Sequence, residues 1–237
     1  MSAATTGVAS STTANTDRAF WEHLWRQSGI QFVALFVIAY GLYGYQPQVG
    51  ASATELVAFY TGERTRILIA AVCSGLAALN LMWFAAALRT VLADAGQDGW
   101  GAAATAASSA VGGLFLLYTA IGAGLAYSIA GSGNPSLTSG LNDLTWALAV
   151  LSSFPRAMLI MAGSFGFWRA GLISNALFGA CVGAVVLGVA GGTTWLSGAW
   201  APDGVYTRFV WPLIGLVWVV IMSRVLLTKT PATRAAW

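Results

Sequence analysis

Arg156 stands inside an apolar run from Leu144 to Trp168, one residue after Pro155, in the stretch SSFPRAML. If that run crosses a bilayer whose outer boundary lies near Leu144, Arg156 is about 18 Å deep at about 1.5 Å per residue. That is just past the middle of an apolar layer about 30 Å thick. Ionisable side chains at such depth are rare and turn toward the bundle interior or a cavity. Three readings of this cation stay open. It can be structural, paired or hydrogen-bonded to helix-end carbonyls. It can hold an anion: a substrate carboxylate, a phosphate or a lipid headgroup. It can snorkel toward the cytoplasmic side, a long reach for one side chain. Pro155 lacks an N–H and clashes with the carbonyl of Leu151, so a kink is predicted here. Ser152, Ser153 or a water would serve the freed carbonyl. Thr145, Ala149, Ser152 and Gly163 share a helical face with Arg156, and all are small or polar. Asn80 is a candidate neutral partner near mid-depth, with Tyr118 and Thr119 as others. The anion reading assigns Arg156, Ser152, Asn80 and Tyr118 to ligand binding.

A second polar group gathers between apolar runs: Glu63, Arg64, Arg66, Asn142, Asp143 and Asp203. It reads as a solvated loop face, an entrance vestibule or an acid pair. A desolvated Glu63 or Asp143 would have a raised pKa and could act as a catalytic general acid. That chemistry suits a cofactor-free cyclase or isomerase on a lipophilic isoprenoid or polyketide, with Arg156 or Tyr118 stabilising charge. Metal and redox chemistry have little to build on. His23 is the single histidine, Cys73 and Cys181 lie apart in apolar runs, and there is no CxxC. Neither GxxxxGK[ST] nor GxGxxG occurs. No metal and no cofactor are expected, and no basic cluster suggests nucleic acid.

The elements that carry these residues follow from composition. The chain is 57% hydrophobic and 8% charged, where a soluble domain is about 25% charged. So few charges cannot cover a water-facing surface. The fold class is therefore all-α: a polytopic transmembrane bundle of about six membrane-spanning helices, preceded by a short amphipathic helix. The six apolar segments run over 29–45, 67–92, 102–130, 141–168, 172–196 and 207–227. Trp and Tyr cluster at several of their ends, as in an aromatic belt. Residues 1–16 read as a disordered tail, 17–28 as an interfacial amphipathic helix, 29–228 as the bundle and 229–237 as a cytoplasmic tail. Lys and Arg in the flanks divide seven to three, which places both termini in the cytoplasm of a plasma-membrane protein. Arg64, Arg66 and Arg208 then fall outside. SATELVAFYTG in the first external loop has a possible N-cap in Ser52 or Thr54 and an apolar face of Leu56, Phe59 and Tyr60, which predicts a short helix over the mouth.

Small residues repeat at four-residue spacing: Ala180, Ala184, Gly188 and Gly192 form one stripe, and Gly179 with Gly183 another. Such stripes allow close helix contact in lipid, or leave room for a cavity. AFYTGERTRILIAA at 58–71, together with SSFPRAML, resembles a family of uncharacterised polytopic membrane proteins of actinobacteria. Those carry a loop of the type AFYxxxRxRIL ahead of a helix and an intrahelical FP motif. The resemblance covers about residues 55–227; it implies a multi-helix architecture and no activity. Three functions remain in play. The first is binding or transport of an amphipathic anionic or lipid-like molecule near Arg156. The second is the cyclase or isomerase. The third is an accessory subunit of a membrane complex. The expected partners are membrane lipid, a lipophilic ligand, and another membrane protein or a second copy, not nucleic acid. A channel ranks lower, because no row of acidic residues or filter motif is present.

Overall fold

The computed structural model describes residues 24–228. The tails at 1–16 and 229–237, and most of the amphipathic helix expected at 17–28, lie outside them. Among the described residues the regular structure is helical, with no strand. The helices are α1 (Ser28–Tyr43), α2 (Ala53–Gly62), α3 (Arg64–Asp94), α4 (Asp98–Gly124), α5 (Pro135–Leu151), α6 (Ser153–Arg169), α7 (Asn175–Gly191) and α8 (Trp211–Thr228). A π-helical turn, Leu125–Ile129, and a 3-10 turn, Ala130–Ser132, extend α4; another π-helical turn, Tyr206–Val210, leads into α8.

Local chemistry sets the boundaries. Ser52 caps α2 by accepting from the Glu55 amide at 3.2 Å, and Asn134 caps α5 from Leu137 at 3.1 Å, with Pro135 opening the helix. Gly96 and Gly171, at φ +72° and +70°, end α3 and α6 in left-handed turns. In each turn the next amide reaches back to the carbonyl five residues earlier, Gln97 to Leu92 at 2.7 Å and Leu172 to Phe167 at 2.9 Å.

Four helices are long and apolar enough to cross a membrane: Arg64–Asp94, Asp98–Ser132, Pro135–Arg169 and Tyr206–Thr228. The remaining two of the six expected segments are shorter helices, α1 with 16 residues and α7 with 17. At about 1.5 Å per residue these are about 24–26 Å long, short of a 30 Å apolar layer. Gly44 stops α1, and the Gly191–Gly192 pair stops α7. The fourth span is broken. The α5 helix ends at Leu151 and α6 restarts at Ser153, two residues before Pro155, which brings no N–H to the Leu151 carbonyl.

The α3–α4 hairpin is the centre of the bundle. α1 packs on α3, α6 on α4 and α7 on α6, while α8 lies across α1 and α7. The α2 helix closes one end, burying Leu56 and Tyr60 against Ile67, Leu125 and Ala126. Half of the small-residue pattern serves close contact. A Cβ on Gly188 would meet the Trp211 indole and one on Gly192 the Phe154 ring, but Gly179 and Gly183 face open space.

Gly163 makes this contact testable, since a Cβ there would lie 2.8 Å from the Trp218 ring and 3.2 Å from Leu88, whereas Gly75 has nothing within 4 Å. Gly163→Ala should lower stability by about 1–3 kcal/mol through overpacking. Gly75→Ala should be neutral or slightly stabilising, by up to about 1 kcal/mol. Thermal unfolding in mild detergent checks both; equal midpoints for the two variants would refute the close packing.

Candidate functional site

The break between α5 and α6 sets the site. Ala149 lies in the last turn before the break, where its carbonyl loses its helical partner, while the Ser152 carbonyl keeps the Arg156 amide at 3.2 Å. Arg156 turns back onto them. Its Nε donates to the Ser152 carbonyl at 3.3 Å and its Nη2 to the Ala149 carbonyl at 3.3 Å and to the Ser152 hydroxyl. Ser152 in turn donates to Ala149 at 2.7 Å. The remaining nitrogen, Nη1, has no hydrogen-bond partner among the described residues, and no carboxylate pairs with the group.

Arg156 borders a cavity of about 180 Å³ between α1, α3, α4, the α5–α6 span and α8. Its walls are chiefly apolar, with Leu81, Val111, Leu159 and Ile160 among aromatic rings. A second arginine borders the same cavity. The π-helical turn before α8 buries three successive side chains, Tyr206, Thr207 and Arg208, which a helix lying on a surface would not do. Arg208 is 5% exposed. Its guanidinium carbon lies 3.9 Å from the Tyr45 ring centroid and 4.6 Å from that of Trp146. Its Nε donates to the Asp203 carbonyl at 3.3 Å and its Nη1 to the Gln46 carbonyl at 3.1 Å, while Nη2 is buried without a partner among the described residues. Such planar stacking between rings suits arginine and not lysine.

A polar network crosses the α2 end of the cavity. Gln46, 2% exposed, accepts from the Tyr118 hydroxyl at 2.5 Å through Oε1. Its Nε2 donates to Thr145 Oγ1 at 2.7 Å and to Asn142 Oδ1 at 3.3 Å. Tyr60 also donates to Asn142 Oδ1, at 3.0 Å. Asn142 passes its own donors to the Gln48 carbonyl at 3.2 Å and to Asp143 at 3.4 Å. The Tyr43 hydroxyl is buried beside this network, next to Tyr60. Burial pushes the Tyr60 phenol up to about 12.

Arg156, Ser152 and Tyr118 therefore border one cavity. Asn80 does not: it donates to the Leu76 carbonyl at 2.9 Å, one turn back on its own helix, as a lone amide in apolar surroundings does. Glu63 and Asp143 also lie off the cavity. Glu63 pairs with Arg66 at 3.2 Å, both 41% exposed, and Asp143 accepts from the Gly50 amide at 3.2 Å. The sequence does not mark Arg208 or Gln46 as site residues. Arg208 reads there as an ordinary flanking charge, and Gln46 as the start of a loop. The one usable signal is that each abuts an apolar segment at the same expected end of the bundle.

Compared with protein-family models, with characterised proteins and with solved structures, the chain matches none of them.

Tyr60 gives a pH test. Below pH 10 both folded and unfolded chains hold the phenolic proton; between about 10 and about 12 only the folded chain does. The unfolded state thus binds fewer protons, and stability falls as pH rises through that window. Tyr60→Phe should show a shallower loss of thermal stability between pH 9 and pH 11 than the unmodified chain. Parallel slopes would mean that Tyr60 ionises as freely in the fold as in water.

Proposed function

We propose that the chain is an integral plasma-membrane protein that binds or transports an amphipathic, anionic or lipid-like small molecule in the cavity beside Arg156. One observation carries the reading: among the described residues two guanidinium groups and no carboxylate border the cavity. The ion pairs Arg66–Glu63 and Arg89–Asp98, at 3.2 and 3.6 Å, lie elsewhere. A buried charge without a counter-charge is costly, and an anion is the chemical species that relieves it. The magnitude favours a ligand. An anion 4 Å from a guanidinium gains about 4 kcal/mol at an effective dielectric near 20, against about 0–1 kcal/mol for an exposed pair. The arginine retains Nη1 for such a partner after supporting the helix break.

In this reading the chain crosses the membrane six times, with α1 and α7 lengthened by the residues beside them and α5–α6 counted once. Both termini are cytoplasmic, as the basic flanks suggest, and α2 with Glu63 faces outward. Membership of the actinobacterial family with the AFYxxxRxRIL loop belongs to the same proposal.

Octanoate, a short amphipathic anion, tests the binding reading in native mass spectra from mild detergent. It should be retained by the unmodified chain and bind Arg156→Leu about ten- to a hundredfold more weakly, the value of one charged hydrogen bond. Equal retention by a folded Arg156→Leu would end the proposal. Orientation is tested in intact cells with Glu63→Cys, which should react with a membrane-impermeant maleimide; labelling only after permeabilisation would reverse it.

A further inference from the structure

Size, wall chemistry and charge narrow the ligand. We infer that the cavity is built for a monocyclic aromatic anion, a single ring carrying one carboxylate, with the carboxylate on Arg156. This rests on the anion-binding reading above and names its substrate class.

Volume is the first limit. About 180 Å³ is far below the roughly 300–1,000 Å³ of sites for drug-sized ligands. It is close to the roughly 150 Å³ of an apolar cavity that takes one benzene. One ring with a small substituent fills it. A long acyl chain does not fit without leaving most of its length outside.

The wall is the second limit. Eight of the 29 lining residues are aromatic, more than a quarter, where the whole chain has 12%. The rings are set at angles and not in one flat stack. Phe36 lies 5.4 Å from Phe115 at 33°, and Tyr43 lies 6.4 Å from Tyr118 at 44°. Phe84 holds Trp218 edge-on at 6.0 Å and 88°. Rings so arranged offer both faces and edges, the two surfaces on which another aromatic ring packs best. A saturated chain gains area there but no quadrupole contact.

Charge is the third. Two guanidiniums and no carboxylate among the lining residues repel aromatic amines. Arg156 has a planar fork, one nitrogen of which is without a partner, and this matches a carboxylate better than a single neutral acceptor. Ser152 stays beside that fork as a fixed neighbour.

The test uses the full chain in mild detergent at pH 7.5 and isothermal titration with four probes of graded chemistry. These are benzoate, cyclohexanecarboxylate, octanoate and benzylamine. Benzoate should bind at least tenfold more tightly than cyclohexanecarboxylate or octanoate, and benzylamine should not bind. Arg156→Lys keeps the charge but loses the fork, and should weaken benzoate at least tenfold in a chain that still unfolds cooperatively. If cyclohexanecarboxylate or octanoate binds as well as benzoate, and Arg156→Lys still weakens it, the aromatic assignment is overturned and the anion site stands. If no carboxylate binds the unmodified chain, both fall. Binding of benzylamine in preference to benzoate would overturn the sign of the site as well.

Discussion

Pro155 brings no N–H to the Leu151 carbonyl and the helix breaks just ahead of it, so in lipid the Ala149 carbonyl at the break must find a donor within the protein. The rest of the site follows from how that need is met. Ser152 covers Ala149 at 2.7 Å, and Arg156 reaches back to Ala149 and Ser152 at 3.3 Å each. The same guanidinium that completes the broken backbone therefore stands at the cavity wall. Its structural use and the proposed binding use do not compete, because the backbone bonds occupy Nε and Nη2 and leave Nη1.

Much of the fold is legible in the sequence, and the reasons are local. SSFPRAML announces both the kink and the cation, because proline's missing donor acts within one turn. Ser52 announces α2, because a cap bonds three residues ahead. What is not legible depends on distance along the chain. Gln46 is buried by Asn142 and Thr145, nearly a hundred positions away, and nothing near Gln46 marks it. Arg208 has the hydropathy of a flanking charge; only the π-helical turn, and the rings of Tyr45 and Trp146 from two other segments, turn it inward. Asn80 shows the reverse case. Depth alone placed it opposite Arg156, but its amide is satisfied by its own helix. The number of crossings is limited in the same way, since glycines cut α1 and α7 to 16 and 17 residues where the apolar runs continue.

Small residues divide between two tasks. Gly163, Gly188 and Gly192 let aromatic side chains lie against helix backbone, while Ala149 and Gly215 leave volume at the cavity. Lipid offers helices no hydrophobic reason to associate, so contact of this kind carries the packing. Of the aromatic residues that these glycines admit, Trp218 also forms the cavity wall, so packing and cavity shape meet at that ring.

The network around Gln46 can run in only one sense. Thr145 spends its proton on the Asn142 carbonyl at 2.6 Å, so it must accept from the Gln46 nitrogen. That turns the Gln46 oxygen toward Tyr118, whose single proton is then committed to it at 2.5 Å. The phenol is left with lone pairs alone to show the cavity. One end of the chamber thereby sets an acceptor phenol beside the Arg208 guanidinium, which holds the Gln46 carbonyl at 3.1 Å, and the Arg156 end offers a donor alone, so the two ends differ in chemistry.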